Sequence, residues 1–179
     1  MSLQSEWMVA SGKKMGGAQQ KKIIEYLNTI IEKSRSLATR LRPSTLDVLG
    51  LATALKLLFG EINQNNKLKI KFTHIDLDGI RFKAETINVF RVIQEAITNI
   101  LKHAKASRVG VKVSKAKGML KISIEDNGRG FVLNAKPTGL GLATMQERVK
   151  LLGGVMAIDS KLGRGTVIKV DIPIMKESI

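Results

Sequence analysis

The chain contains no cysteine, three prolines, two histidines and only 4% aromatic residues. Without cysteine there is no disulfide framework, no thiolate zinc site and no thiol nucleophile. Two histidines, His74 and His103, are too few for a histidine-rich metal centre. So few rings leave little from which to build a stacking platform for bases. No apolar run approaches the roughly 20 residues that a membrane-spanning helix needs. The opening stretch to Trp7 lacks the basic flank and apolar centre of a signal peptide. Negative charge is also scarce, with 15 acidic against 30 basic residues and a net charge of +15. The surplus is dispersed: the first 42 residues hold eight basic and three acidic side chains. A dispersed surplus attracts phosphates and acidic surfaces in general, but it is not the stripe that marks a nucleic-acid groove. The chain's 179 residues, 44% of them apolar, suffice for one domain with a sizeable core and an appended helical arm.

Residues 1–20, rich in Ser, Gly, Gln and Lys, read as a disordered tail or an expression remnant. Residues 21–64 read as a helical arm. Ile23, Leu27, Ile30, Ser34, Leu37 and Leu41 recur at 4-3-4-3-4 spacing, the seam of a bundle or coiled coil broken once by Ser34. Pro43 ends that helix. Ser44 or Thr45 can cap the next one, whose apolar face holds Leu46, Leu49, Leu55, Leu58 and Phe59 and which is expected to run to about Asn63. From residue 65 to 179 the pattern becomes that of a mixed domain. Strands are expected at Lys67–Thr73, Ile80–Phe82, Val109–Val113, Leu120–Ile124, Val155–Ser160 and Thr166–Ile172. Helices are expected at Glu85–Ala104 and Leu142–Leu152. Asp78-Gly79 and Lys117-Gly118 mark turns. The order implies an α+β fold, a mixed sheet covered on one face by helices.

Chemistry concentrates in four places. On the helix at 85–104, Glu95, Asn99 and Lys102 or His103 share one face. Asn99 offers a hard oxygen of the kind Mg²⁺ accepts, Lys102 a point charge for phosphate, and Glu95 a group that can orient or deprotonate an attacking atom. Taken alone, the same face reads first as the solvent side of an amphipathic helix. Asp126-Asn-Gly128-Arg-Gly130 follows a strand directly; Asp126 can accept a hydrogen bond from an amino group such as that of adenine, or the run can be a plain Asn-Gly turn. Gly139-Leu140-Gly141-Leu142 precedes a helix, where backbone N–H groups and the helix dipole can hold phosphate oxygens. It is neither a dinucleotide fingerprint nor a P-loop. Gly163-Arg-Gly165-Thr166 turns into the last strand, and Thr166 is either a ligand contact or a good strand residue.

In this order and spacing the four motifs resemble the HATPase_c domain of histidine kinases, within the gyrase, chaperone, kinase and MutL (GHKL) superfamily and its Bergerat ATP-binding fold. The resemblance covers about residues 65–175. It implies ATP and Mg²⁺ as ligands, with Asn99 as the Mg²⁺ ligand, Glu95 one turn earlier, and Lys102 and His103 toward the phosphates. Asp126 would read the adenine amino group with Gly128 and Gly130 shaping the pocket, residues 131–138 would form a short lid, Gly139, Leu140, Gly141 and Leu142 would meet the phosphates, and Thr166 would help hold adenine. Leu41-Arg-Pro-Ser-Thr-Leu-Asp-Val-Leu-Gly-Leu-Ala-Thr-Ala-Leu, Asp126-Asn-Gly-Arg-Gly-Phe and Gly141-Leu-Ala-Thr-Met-Gln-Glu-Arg148 are similar to kinases of the NarL/DegS type, which serve NarL/LuxR response regulators.

That subfamily implies a histidine kinase whose phosphoacceptor histidine sits on a first dimerisation helix that this chain lacks. It also implies a homodimer through the helical arm, a response-regulator receiver domain as partner, and a cytoplasmic catalytic domain, any membrane anchor lying outside the chain. In the subfamily the acidic neighbour of the phosphoacceptor serves as base, whereas water-activating relatives use the helix glutamate at the position of Glu95. Two other readings are an anti-sigma-factor serine kinase or other GHKL ATPase, and a basic nucleic-acid-binding module. Dispersed charge and few aromatics weigh against the latter, and no nucleic-acid partner is expected.

Overall fold

The computed structural model describes residues 44–65, 67–75, 77, 86–132 and 140–174, together with Ile23, Ile24 and Leu27, which are helical. The chain divides into two compact units, Met1–Pro43 and Ser44–Ile179. In the first, the rest of the seam from Ile30 to Leu41 lies outside the described residues, as does the tail. The strand expected at residues 80–82 and the turn at 78–79 lie outside them too.

The second unit begins with helix α1, Ser44–Asn65, which breaks at Gly50 (φ 76°, ψ 171°). The sequence pattern predicts an unbroken helix here. Instead Gly50 takes a backbone conformation open mainly to glycine, which redirects the chain. Leu46 before the break and Leu51, Leu55, Phe59 and Ile62 after it all reach the core. Residues 44–64, grouped with the arm on sequence, therefore pack within this unit. Two contacts fix α1 on the first strand, β1, Lys69–His74. The rings of Phe59 and Phe72 meet edge to face at 5.1 Å. Asn63 accepts the Ile70 N–H at 2.7 Å and donates to the Ile70 carbonyl at 3.1 Å.

Helix α2 spans Thr86–Asn99 and buries Val89, Phe90, Val92, Ile93, Ala96 and Ile97. It continues as a π-helical turn over Ile100–Ala104, closed by Lys105 in the left-handed region. Strands β2 (Arg108–Ala116) and β3 (Met119–Asp126) form a hairpin. Its turn residues Lys117 and Gly118 have φ of 51° and 73°, the double positive-φ turn that suits the strand twist. Helix α3, Leu140–Leu151, is followed by β4, Val155–Lys161, and β5, Gly165–Pro173.

The sheet order is β1-β2-β3-β5-β4. Strands β1 and β2 run parallel and all other neighbours antiparallel, so the sheet is mixed. One face is apolar: Val109, Val111 and Val113, Leu120, Ile122 and Ile124, and Ile168, Val170 and Ile172 are buried there. Alternate residues such as Lys112, Glu125 and Lys169 are exposed on the other face. The result is the expected α+β fold. Helices α2 and α3 run antiparallel over the buried face, since Glu95 lies against Gly141 while Arg148 donates to Asn88 at 3.2 Å.

Candidate functional site

The ends of α2, β3, α3 and β5 converge on a cavity of about 370 Å³, within the range of small-molecule sites. Asn99, Ile100 and His103 line it from α2 and its π turn. Asp126, Arg129, Gly130 and Phe131 line it from β3 and the loop beyond. Gly141 and Leu142 contribute from the first turn of α3, and Thr166 and Ile168 from β5.

One end rests on strands. Asp126 closes β3 opposite Thr166 of β5 and is 4% exposed. Burial raises its carboxyl above the ordinary aspartate value. Hydrogen bonds from the Gly128 N–H, the Thr166 N–H and the Thr166 hydroxyl work in the opposite direction. The Gly128 bond measures 2.7 Å. An ionised carboxylate has about four acceptor positions; three are engaged, so about one is left for a donor in the cavity. The loop after β3 is held in place by backbone contacts. The Arg129 N–H donates to the Ala104 carbonyl at 2.7 Å, and a Cβ on Gly128 would collide with that same carbonyl. Asn127 points away from the cavity. Its Oδ1 accepts the Ser107 and Arg108 N–H groups at 3.0 and 2.9 Å, so it fastens the loop to the start of β2.

The other end rests on helix termini. Asn99 closes α2, and the i→i+5 winding of the π turn delays the chain's return to that face. His103 thereby comes to the cavity, while Lys102 is exposed and not part of its lining. Glu95, one turn before Asn99, faces the start of α3: a Cβ on Gly141 would collide with the Glu95 carboxylate and lie 3.2 Å from the Asn99 amide nitrogen. The glycine lets the N-terminus of α3 approach α2, bringing its unpaired N–H groups and positive dipole end to the cavity. Elsewhere on α2, burial and then the nearby Arg148 charge lower the Arg91 guanidinium below its usual value.

Of the residues singled out on sequence, Asn99, His103, Asp126, Gly130, Gly141, Leu142 and Thr166 share this cavity. Glu95 and Gly128 stand directly behind its wall, Lys102 stands outside it, and Leu140 opens α3. Gly139 lies outside the described residues, as do residues 133–138 of the expected lid. Sequence reasoning passed over Ala96, Ile100, Ala104, Arg129 and Ile168 in the lining, whereas Phe131 stands in it as the first residue of the expected lid. It also missed Ser160, which accepts the Phe131 N–H at 2.9 Å and meets the Thr166 hydroxyl at 2.9 Å. The available signal was a serine at the inward position of the Met156, Ile158, Ser160 alternation.

Residues 84–176 match the HATPase_c family, described as histidine kinase-, DNA gyrase B- and HSP90-like ATPases. Solved structures agree in fold. A blue-light activated histidine kinase from Erythrobacter litoralis EL346 is 24% identical, with a TM-score of 0.57, over 70% of this chain and 42% of that one. The chain thus spans less than half of that protein's length. The histidine kinase AdeS of Acinetobacter baumannii is 16% identical, with a TM-score of 0.58, over 96% of this chain and 91% of that one. The mycobacterial sensor histidine kinase MprB is 20% identical, with a TM-score of 0.54, over 66% and 90%. A strand-borne carboxylate and a helix-borne asparagine line one cavity, and with that family model matching more than half of the chain, this protein is a member of the histidine kinase-, DNA gyrase B- and HSP90-like ATPase family.

Proposed function

We propose that this chain is the ATP-binding catalytic part of a sensor histidine kinase. In the intact protein it would pass the ATP γ-phosphate to a histidine outside the chain, for relay to a response-regulator receiver domain. The observation that carries the reading is the gathering of Asp126, Thr166, Asn99 and Gly141 on the lining of one cavity. One end offers a buried acceptor for an amino group, and the other offers a helix N-terminus for phosphates and hard oxygen ligands for Mg²⁺.

Each residue then has a task. Asp126 accepts from the adenine amino group, while Ile100 and Ile168 supply apolar surface to the ring. The N-terminal turn of α3, kept close by Gly141, receives phosphate oxygens. The Asn99 carboxamide, with the Glu95 carboxylate one turn away, is a donor set suited to Mg²⁺, which keeps most of its waters and takes few protein ligands. Bound there, the ion would supply neutralisation of phosphate charge. His103 borders the same end. Catalysis would rest on positioning and electrostatic stabilisation.

The finer assignment is to the NarL/DegS type, with a NarL/LuxR-type regulator as partner and a homodimer through the seam at residues 23–41 of the helical arm. It is supported by the Leu41–Leu55 junction, by Asp126-Asn-Gly-Arg-Gly-Phe131 and by Gly141–Arg148. Among the described residues no helix is long and apolar enough to cross a membrane, which is compatible with a cytoplasmic catalytic part. Calorimetric titration with ADP and a non-hydrolysable ATP analogue, with and without Mg²⁺, tests the reading. Binding of both, tighter for the triphosphate with Mg²⁺, is the expected result. A folded chain that binds neither would refute it.

A further inference from the structure

Among the described residues, the buried polar or charged side chains are Asp126, Ser160 and Thr166. They form a single cross-strand row: Asp126 on β3 pairs with Thr166 on β5, and Thr166 pairs with Ser160 on β4. Burying polar groups is costly unless each finds a partner, and the protons in this row have few places to go. The Asp126 carboxylate only accepts, so the Thr166 hydroxyl donates to it. With its one proton committed, Thr166 accepts from Ser160 at 2.9 Å. Ser160 Oγ in turn accepts from the Phe131 N–H at 2.9 Å. Every donor points the same way, from Phe131 through Ser160 and Thr166 to the carboxylate. Aligned bonds of this kind polarise one another. Ser160 has a second outlet for its proton, the Gly165 carbonyl at 3.2 Å.

We propose that Ser160 is a positioning residue of the pocket, coupling the state of the Asp126 carboxylate to the backbone at Phe131 on the cavity wall. While the carboxylate is charged and open, it draws the hydroxyl protons toward itself and the Phe131 bond is at its strongest. A proton or a ligand amino group on Asp126 weakens that pull. Ser160 can then turn its proton to Gly165, and the Phe131 bond relaxes. The row itself stands on this geometry alone; only the identity of the natural ligand rests on the ATP-site reading.

The test follows the Phe131 amide by NMR in the whole chain. Glu95, His103 and Arg129 also border this region, so the component lost in Asp126→Asn is taken as the Asp126 signal. In the wild type the Phe131 amide shift should follow Asp126 as it titrates. That component should vanish in Ser160→Ala. It should vanish equally in Thr166→Val, which preserves shape and leaves the Ser160–Phe131 bond intact. A Phe131 signal blind to Asp126 in the wild type, or unchanged in Thr166→Val, overturns the proposal. The second arm titrates ADP. What the ligand weakens must in turn oppose the ligand, so Ser160→Ala should tighten binding up to about threefold, and the gain should shrink toward none in an Asp126→Asn background. A loss, or an equal change in both backgrounds, marks a purely structural serine and overturns the proposal. If the Phe131 coupling is present but the wild type binds no ADP, the coupling stands and the ATP reading falls.

Discussion

The two ends of the cavity are built on different principles. At the Asp126 end the groups lie on paired strands, in one register row, each buried side chain fixed by a short hydrogen bond. At the Asn99 end they lie on helix termini: the last residue of α2, a π turn, and the first turn of α3. Paired strands fix the distance and direction of a side chain through the ladder, so a buried carboxylate can be held ready for one donor. Helix termini supply N–H groups and a dipole, which suit a flexible, multiply charged chain of phosphates. The contrast predicts steep, specific recognition at the first end and graded, charge-dependent recognition at the second.

The strand end should break most completely. Gly165 has φ 77°, and a Cβ there would run into the Asp126 carbonyl. Gly165→Ala should lower stability by about 1–3 kcal/mol, read as an earlier thermal midpoint, and should displace Asp126 as well. At the helix end, Asn99→Ala should leave the fold intact. It should weaken binding of the Mg²⁺ complex of an ATP analogue roughly tenfold while leaving metal-free ADP binding near its original value. Calorimetry with and without Mg²⁺ separates the two.

Acid sharpens the contrast further. The folded-state value of Asp126 is raised, so between the ordinary aspartate value and the raised one the folded state holds more protons than the unfolded state. Stability of the ligand-free chain should therefore decline, relative to Asp126→Asn, as pH rises through that window. Adenine nucleotide binding should run the other way, failing on acidification as the carboxylate protonates. Paired denaturation and binding series across pH check both signs. The smallest effect is expected from Lys102, exposed and outside the cavity lining. Lys102→Ala should change ADP affinity less than about twofold, the ordinary scale for a solvated charge.

What could be read from the sequence followed from local periodicity. The alternation of Val109, Val111 and Val113 against Leu120, Ile122 and Ile124 gave the central hairpin, and Lys117-Gly118 gave its turn. The motif residues Asn99, Asp126, Gly141 and Thr166 form a set on sequence only through the order and spacing in which they resemble the HATPase_c domain, since each alone reads as an ordinary helix face, turn or strand residue. Three features were not legible. The break at Gly50 leaves no trace in an apolar pattern that continues on both sides. The π turn at Ile100–Ala104 keeps the composition of an ordinary helix end, so the sequence puts Lys102 ahead of His103 as the phosphate contact. The row linking Asp126, Thr166 and Ser160 depends on β5 inserting between β3 and β4, a long-range register that spacing along the chain does not encode.

The most direct test of the account is titration of the folded wild type and Asp126→Asn with ADP under identical conditions. In the variant the N–H groups of Gly128 and Thr166 would hold the remaining oxygen and turn an amide NH₂ toward the adenine amino group, donor against donor. The account expects clear binding by the wild type and a loss of roughly tenfold to hundredfold in Asp126→Asn, the scale of a hydrogen bond to a charged group. Equal affinity in the two proteins would contradict it, because the buried carboxylate would then not be what reads the base.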